Sequence, residues 1–180
     1  LMATNDIKIR NGGGTALTFK TDDRNTSGFG LTIKPGEPVV SCGNYASRIA
    51  DNEPFYGSTD RLIGVCSKES TETATANGTV DVVTVIAGQT VLEGAASTVA
   101  NVDTASELLT YLNNCILFDS SQAVTSTTAT AITIDENATS DPNKNGLILI
   151  GGSADADGLC YVLVGINATL YGSWVGQTID

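Results

Sequence analysis

Histidine is absent from this 180-residue chain, and Met and Trp occur once each. Without histidine, a Ser-His-Asp or Cys-His nucleophile pair, an HExxH zinc site and a two-His iron site cannot be assembled from its own residues. Positive charge is scarce too: 9 Lys plus Arg face 20 Asp plus Glu, for a net charge of −11. Those nine cations are scattered, so no nucleic-acid partner and no binding to anionic membrane are expected. No apolar run approaches the roughly 18 residues of a membrane span, and the opening LMATNDIKIRNGGG has no apolar h-region, so a soluble chain is expected. A CxxC pair is missing, as are the phosphate-binding string GxxxxGK[ST] and a complete GxGxxG, because Ile33 stands where the third glycine after Gly28 and Gly30 belongs. Glycines 12–14 and 151–152 therefore read as turns, and no cofactor is expected.

Hydroxyls take the place of charges. Charged residues are 16% of the chain, against a typical quarter, while 24 Thr and 14 Ser supply polarity. The length is that of one domain, enough to bury roughly 70% of the unfolded surface. Cys42, Cys66, Cys115 and Cys160 are read as reduced, mostly buried small side chains, with disulfides as the alternative. Four N-x-[ST] sequons, at Asn25, Asn77, Asn137 and Asn167, are no more than composition predicts, and no glycosylation is expected.

Short apolar runs bounded by turn residues predict strands near 15–20, 30–34, 61–67, 79–86, 89–93, 115–118, 129–135, 146–151, 159–166 and 169–175. One segment departs from that pattern. In VDTASELLTYLNN, Ala105, Leu108, Leu109, Leu112 and Ile116 recur at helical spacing, and Thr104 with Glu107 forms a capping box. A helix over about 104–114 is predicted, with Leu108, Leu109 and Leu112 on its core face, so that Leu109→Asp should unfold the chain. The expected class is all-β or mainly β: a barrel or sandwich core with one short helix and a loop-rich N-terminal arm.

Residues 1–60 hold three of the four prolines and eight of the nineteen glycines, which suggests an arm or extension. The compact β core is placed at 61–180. AGQ at 87–89 predicts a hairpin with Gly88 at positive φ, 136–146 a polar loop, and SADADG at 153–158 another hairpin tip.

No catalytic residue and no metal ligand is assigned. Asp155, Asp157 and Gly158 spell the start of a calcium loop, but Leu159, Cys160 and Tyr161 follow where further ligands belong, so a solvated turn is expected. Asp135, Glu136 and Asp141 could serve as an acid and base pair in a remote, carboxylate-dependent enzyme reading. With one Trp, five Tyr and four Phe to stack a sugar, a charged loop rim is preferred.

The order of the segments RLIGVCSKESTETATANGTVDVVTVIAGQTVLEGAAST (61–98), VDTASELLTYLNNCILFD (102–119) and ITIDENATSDPNKNGLILIGG (132–152) resembles the capsid decoration, or cement, proteins of tailed bacteriophages. The phrase IKPGEPVVSCGNY (33–45) is similar to the loop-rich segment that precedes their core. The resemblance implies a non-enzymatic virion protein, made in the host cytoplasm, that binds the outer surface of an expanded head. It further implies the major capsid protein as partner and a homo-oligomer, preferably a trimer. Within the N-terminal region, Phe29, Tyr45, Phe55 and Tyr56 are the candidate capsid contacts, because aromatics concentrate at interface hot spots; each could equally fill local core. A tail tube, fibre or head-spike component is the alternative.

Overall fold

A computed structural model of the chain describes residues 7–21, 32–42, 45–49, 60–71, 77–120, 132–137, 146–165 and 168. Its elements are β1 (Lys8–Asn11), β2 (Ala16–Lys20), β3 (Pro38–Cys42), β4 (Tyr45–Arg48), β5 (Leu62–Lys68), β6 (Thr79–Thr84), β7 (Val91–Ala95), a 3-10 turn (Val99–Asn101), α1 (Ala105–Tyr111), β8 (Leu117–Ser120), β9 (Ile132–Asp135), β10 (Leu147–Gly152) and β11 (Leu159–Val164). Among the described residues the protein is mainly β with one helix, as its short alternating runs predicted. The strand expected at 169–175 lies outside the described residues.

Two antiparallel sheets and a hairpin carry the fold. One sheet has the order β1-β7-β11-β10, the other β2-β6-β5-β3-β4, and β8 pairs with β9. Inward-facing residues of the four-stranded sheet, Leu92, Leu147, Leu149, Val162 and Val164, pack with Phe118 and Ile134 of the hairpin and with Val40, Leu62 and Val65 of the second sheet. The five-stranded sheet curls over a smaller core of Ile33, Val39, Ala46, Ile63, Cys66, Val80 and Val82. Its edges touch at one parallel bridge, Thr21 to Ala46, yet it does not close into a barrel. β5 thus has apolar material on both faces. Opposite Val39 and Val40 its register slips at Ile63, and this bulge turns Leu62 and Val65, three residues apart, into the same core.

Several expectations change in detail. The described part of 1–60, read as an arm, supplies four strands: β1, β2 and β3 are ladder partners of strands beyond residue 60, and β4 pairs with β3 at the edge. Lys34, Pro35, Gly36 and Glu37 form a turn closed by Glu37 N–H donating to the Lys34 carbonyl, with Gly36 at φ 89°, a conformation that suits glycine. Consequently residues 32–34 are not a strand; Ile33 is buried, and its backbone exchanges single bonds with Ser70. At 87–89 the turn forms, with Gly88 at φ 74°, but it joins two different sheets and is not a hairpin. Buried Thr90 fixes that corner: its hydroxyl donates to the Gly12 carbonyl at 2.7 Å and accepts from Ile86 N–H at 2.7 Å.

The helix is shorter than its apolar spacing suggested. Thr104 caps it, accepting from Glu107 N–H at 3.3 Å and donating its hydroxyl to the Glu107 carboxylate at 2.6 Å. It ends at Tyr111 because Asn113 takes φ 70° and residues 113–116 bond to β10 instead. Leu108 is buried, with Leu112 and Tyr111 packed beside it, whereas Leu109 is 68% exposed and Ala105 is exposed. The assignment of Leu109 to the core face is therefore corrected. A two-turn helix buries one narrow stripe, and Leu109 stands about 100° around the axis from Leu108. Leu109→Asp is accordingly expected to change the unfolding free energy by no more than about 0.5 kcal/mol in urea titrations.

Cys66, Cys115 and Cys160 are buried thiols outside any disulfide. The Cys42 side chain lies outside what the structure describes. Burial, reinforced by the nearby Glu136 charge, pushes the Cys160 thiol up to about 12. Burial with the Glu37 charge likewise pushes Cys66 up to about 12. A pKa raised in the folded state means that the unfolded chain loses its thiol proton first. Stability is thus intact below about pH 9 and declines as pH climbs toward 12, by about 1.4 kcal/mol per pH unit for Cys160. Urea titrations at about pH 8 and about pH 10 should show this decline, and Cys160→Ala should flatten it by one thiol's share.

Candidate binding surface

Of the four aromatic contacts expected from the sequence, Phe29, Phe55 and Tyr56 lie outside the described residues. Tyr45 opens β4 and is 38% exposed. It borders an open groove of about 390 Å³ with Lys20, Thr71, Asn77, Gly78 and Thr79. The ring is available at the surface and is not a core filler.

The carboxylates separate into structural duties. Asp155 accepts from the Ser153 hydroxyl at 2.7 Å and from Asp157 N–H at 3.0 Å, which holds its carboxyl below the usual range. Gly158 at φ 56° completes the expected hairpin tip between β10 and β11. Among the described residues no three His, Cys, Asp or Glu side chains are placed to hold a metal ion. Asp135 accepts from Asn137 N–H at 3.1 Å, and Asp141 lies outside the described residues.

Glu136 was expected on a solvated rim and is fully buried instead. Its carboxylate accepts from Asn101 Nδ2 at 2.7 Å, the Ser97 hydroxyl at 3.3 Å and Thr98 N–H at 3.4 Å. Those donors belong to the segment between β7 and α1, so the turn after β9 is anchored beneath the 3-10 turn. Adjacent carboxylates in DE thus point to different environments. The acid and base pair weighed from the sequence joins Asp135 to Asp141, and Asp141 lies outside the described residues.

The strongest surface feature is one the sequence reading missed: the outer face of the four-stranded sheet. Alternation in β11 sends Cys160, Val162 and Val164 inward and leaves Leu159, Tyr161 and Leu163 half-buried on the other side. Val91, Leu163 and Ile148 lie in register across β7, β11 and β10, and Ile150, in the bulge of β10, is 44% exposed. One row further along, Glu93, Tyr161 and Gly151 are in register. The Tyr161 ring lies against Gly151, where an added Cβ would approach Cδ2 to 3.2 Å. From β1, Arg10 donates to the Glu93 carboxylate at 2.6 Å and stacks its guanidinium 3.9 Å from the Tyr161 ring centre.

Such a face is apolar in its middle and charged along one edge. Contiguous apolar surface with a polar rim is the signature of protein contact, and Tyr and Arg are favoured as anchors. The signal was present in LCYVLV, whose residues of both parities are apolar; one buried face accounts for only half of them. A comparison with protein families, with curated proteins and with solved structures finds no match for this chain.

Proposed function

We propose that this chain is a non-enzymatic structural protein of a phage virion, binding the outer surface of an expanded capsid and bridging major capsid subunits as a homo-oligomer, a trimer by resemblance. The observation that carries the reading is the half-exposed apolar sheet face with its preset Arg10–Glu93–Tyr161 cluster, a surface suited to contact and not to turnover. The buried carboxylates agree with it, since Glu37 is engaged by Arg48 and Glu136 by neutral donors. A net charge of −11 suits a position away from packaged nucleic acid.

The mechanism is mass action. A subunit that contacts neighbours present only in the expanded shell stabilises that shell by RT ln(1 + [L]/Kd) per site, and contacts made through one oligomer multiply as avidity. Tyr45, exposed beside Lys20, is the described residue of the N-terminal region best placed to touch a shell. Mixing the purified protein with empty expanded heads at moderate salt and sedimenting them tests the reading. Saturating, symmetry-related co-sedimentation supports it; no co-sedimentation overturns it in favour of a tail component.

A further inference from the structure

We infer that the free edge of β2 takes up an extended segment of the partner protein as an added strand, and that this segment sets a carboxylate beside Lys20. The inference rests on the capsid-binding function proposed above for the source of that strand, and it goes further by naming the strand's chemistry.

β2 is the terminal strand of the five-stranded sheet. Its ladder has a fixed phase: Thr21 N–H donates to the Gly78 carbonyl, and Thr84 N–H donates to the Thr15 carbonyl. Thr15, Leu17, Phe19 and Thr21 therefore bond toward β6, and the N–H and C=O groups of Ala16, Thr18 and Lys20 are directed away from it. On that side the sheet meets only β4, through the parallel bridge between Thr21 and Ala46. Because β4 starts at Tyr45, residues 16–19 run on past its end with no strand beside them among the described residues.

Two other edges of the sheets are blunted. β1 carries Lys8 and Arg10, and β10 is bonded along its outer side by residues 113–116. The ALTF run of β2 has neither charge nor cover, which leaves it fit to accept a strand. Leu17 is 48% exposed although it shares the inner face with Phe19, across the ladder from buried Val82 and Val80. An added strand with apolar residues on that face covers it.

Charge selects the rest of the partner. The groove beside Tyr45, at the end of this edge, holds Lys20 and no carboxylate. Asp81, across the ladder on β6, is engaged by the Thr18 hydroxyl at 2.6 Å and stands opposite Lys68 of β5. On a chain of −11, an acidic side chain is thus attracted here while most of the surface repels it. So short an edge gives a weak contact, which an oligomer multiplies by avidity.

Amide chemical shifts of the full chain, titrated with a short synthetic peptide alternating valine and glutamate, test the inference. The peptide should move the Ala16, Thr18 and Lys20 amides, and a peptide with lysine in place of glutamate should not. Thr18→Pro should abolish the shifts at Ala16 and Lys20 with unchanged circular dichroism, because the Thr18 N–H faces outward and an edge tolerates proline there. Ala16→Pro, which keeps the bond from Thr18 to Asp81, should weaken the same shifts. Lys20→Glu should turn the preference toward the lysine peptide. Unmoved amides, equal binding of the two peptides, or binding that Thr18→Pro leaves untouched each overturn the inference. Self-association of the free chain that Thr18→Pro abolishes would put a second copy on the edge and overturn it equally. None of these results bears on whether the wild-type protein co-sediments with heads, so the two readings fail separately.

Discussion

Arg48→Met should lower the unfolding free energy by about 3–5 kcal/mol, because it leaves the Glu37 carboxylate buried opposite an apolar side chain. The pair is a two-pronged fork: Nε donates to one carboxylate oxygen and Nη2 to the other, both at 2.9 Å, with the side chains only 3% and 7% exposed. Geometry explains its place. Glu37 follows the Pro35–Gly36 turn into β3, and Arg48 closes β4, so the fork pins the end of one strand to the start of its neighbour. Arg48→Lys should recover little, since an ammonium offers a point charge where the site is built for a planar fork. Glu37→Leu combined with Arg48→Met should cost much less than either single change predicts, because a buried ion pair replaced as a unit leaves no orphan charge. A double-mutant cycle in urea checks this, and additive losses would refute the coupling.

Glu136→Leu should cost about 2–4 kcal/mol, measured in the same way. It removes the acceptor for Asn101 Nδ2, for the Ser97 hydroxyl and for Thr98 N–H, and the leucine offers those donors nothing. Only the Asn101 bond is short, which places the loss below that of three full charged bonds. Glu136→Gln should fall between wild type and Glu136→Leu: it keeps one carbonyl oxygen for Asn101 but turns a second donor toward donors. Equal stability of Glu136→Leu and wild type would mean that the segment after β7 is held by packing alone.

Much of the local structure was legible. The period-two runs of β9 and β11, the Thr104 cap, Gly88 in its turn and the 153–158 hairpin tip follow from residues close together in the chain. β3 and β4 were not, because Pro38 and the surrounding glycines read as loop. A proline is nevertheless tolerated as the first residue of a strand, which is where Pro38 sits. Leu109 misled for a different reason. Its spacing fits a helical stripe, but the stripe that is buried depends on how many turns form, and Asn113 ends the helix early.

The candidate surface was legible only in half. Tyr45 was singled out as an aromatic contact and is exposed. Tyr161, Leu163 and Ile148 were assigned to strands without any sign of which face would stay open. Periodicity states that alternate residues share a face; it does not state what covers that face.

From the chain alone came the mainly β class, the helix capped by Thr104, the absence of imidazole chemistry and the acidic balance. All of these are properties of composition or of neighbours a few positions apart. Tertiary structure decided that the turn at Gly88 crosses between sheets, that Glu136 turns inward while Asp135 does not, and that the outer side of the four-stranded sheet remains half-open. Each of those outcomes depends on residues brought together from distant parts of the sequence. Burial and hydrogen-bond supply at such meetings, not local preference, set the lowest free energy.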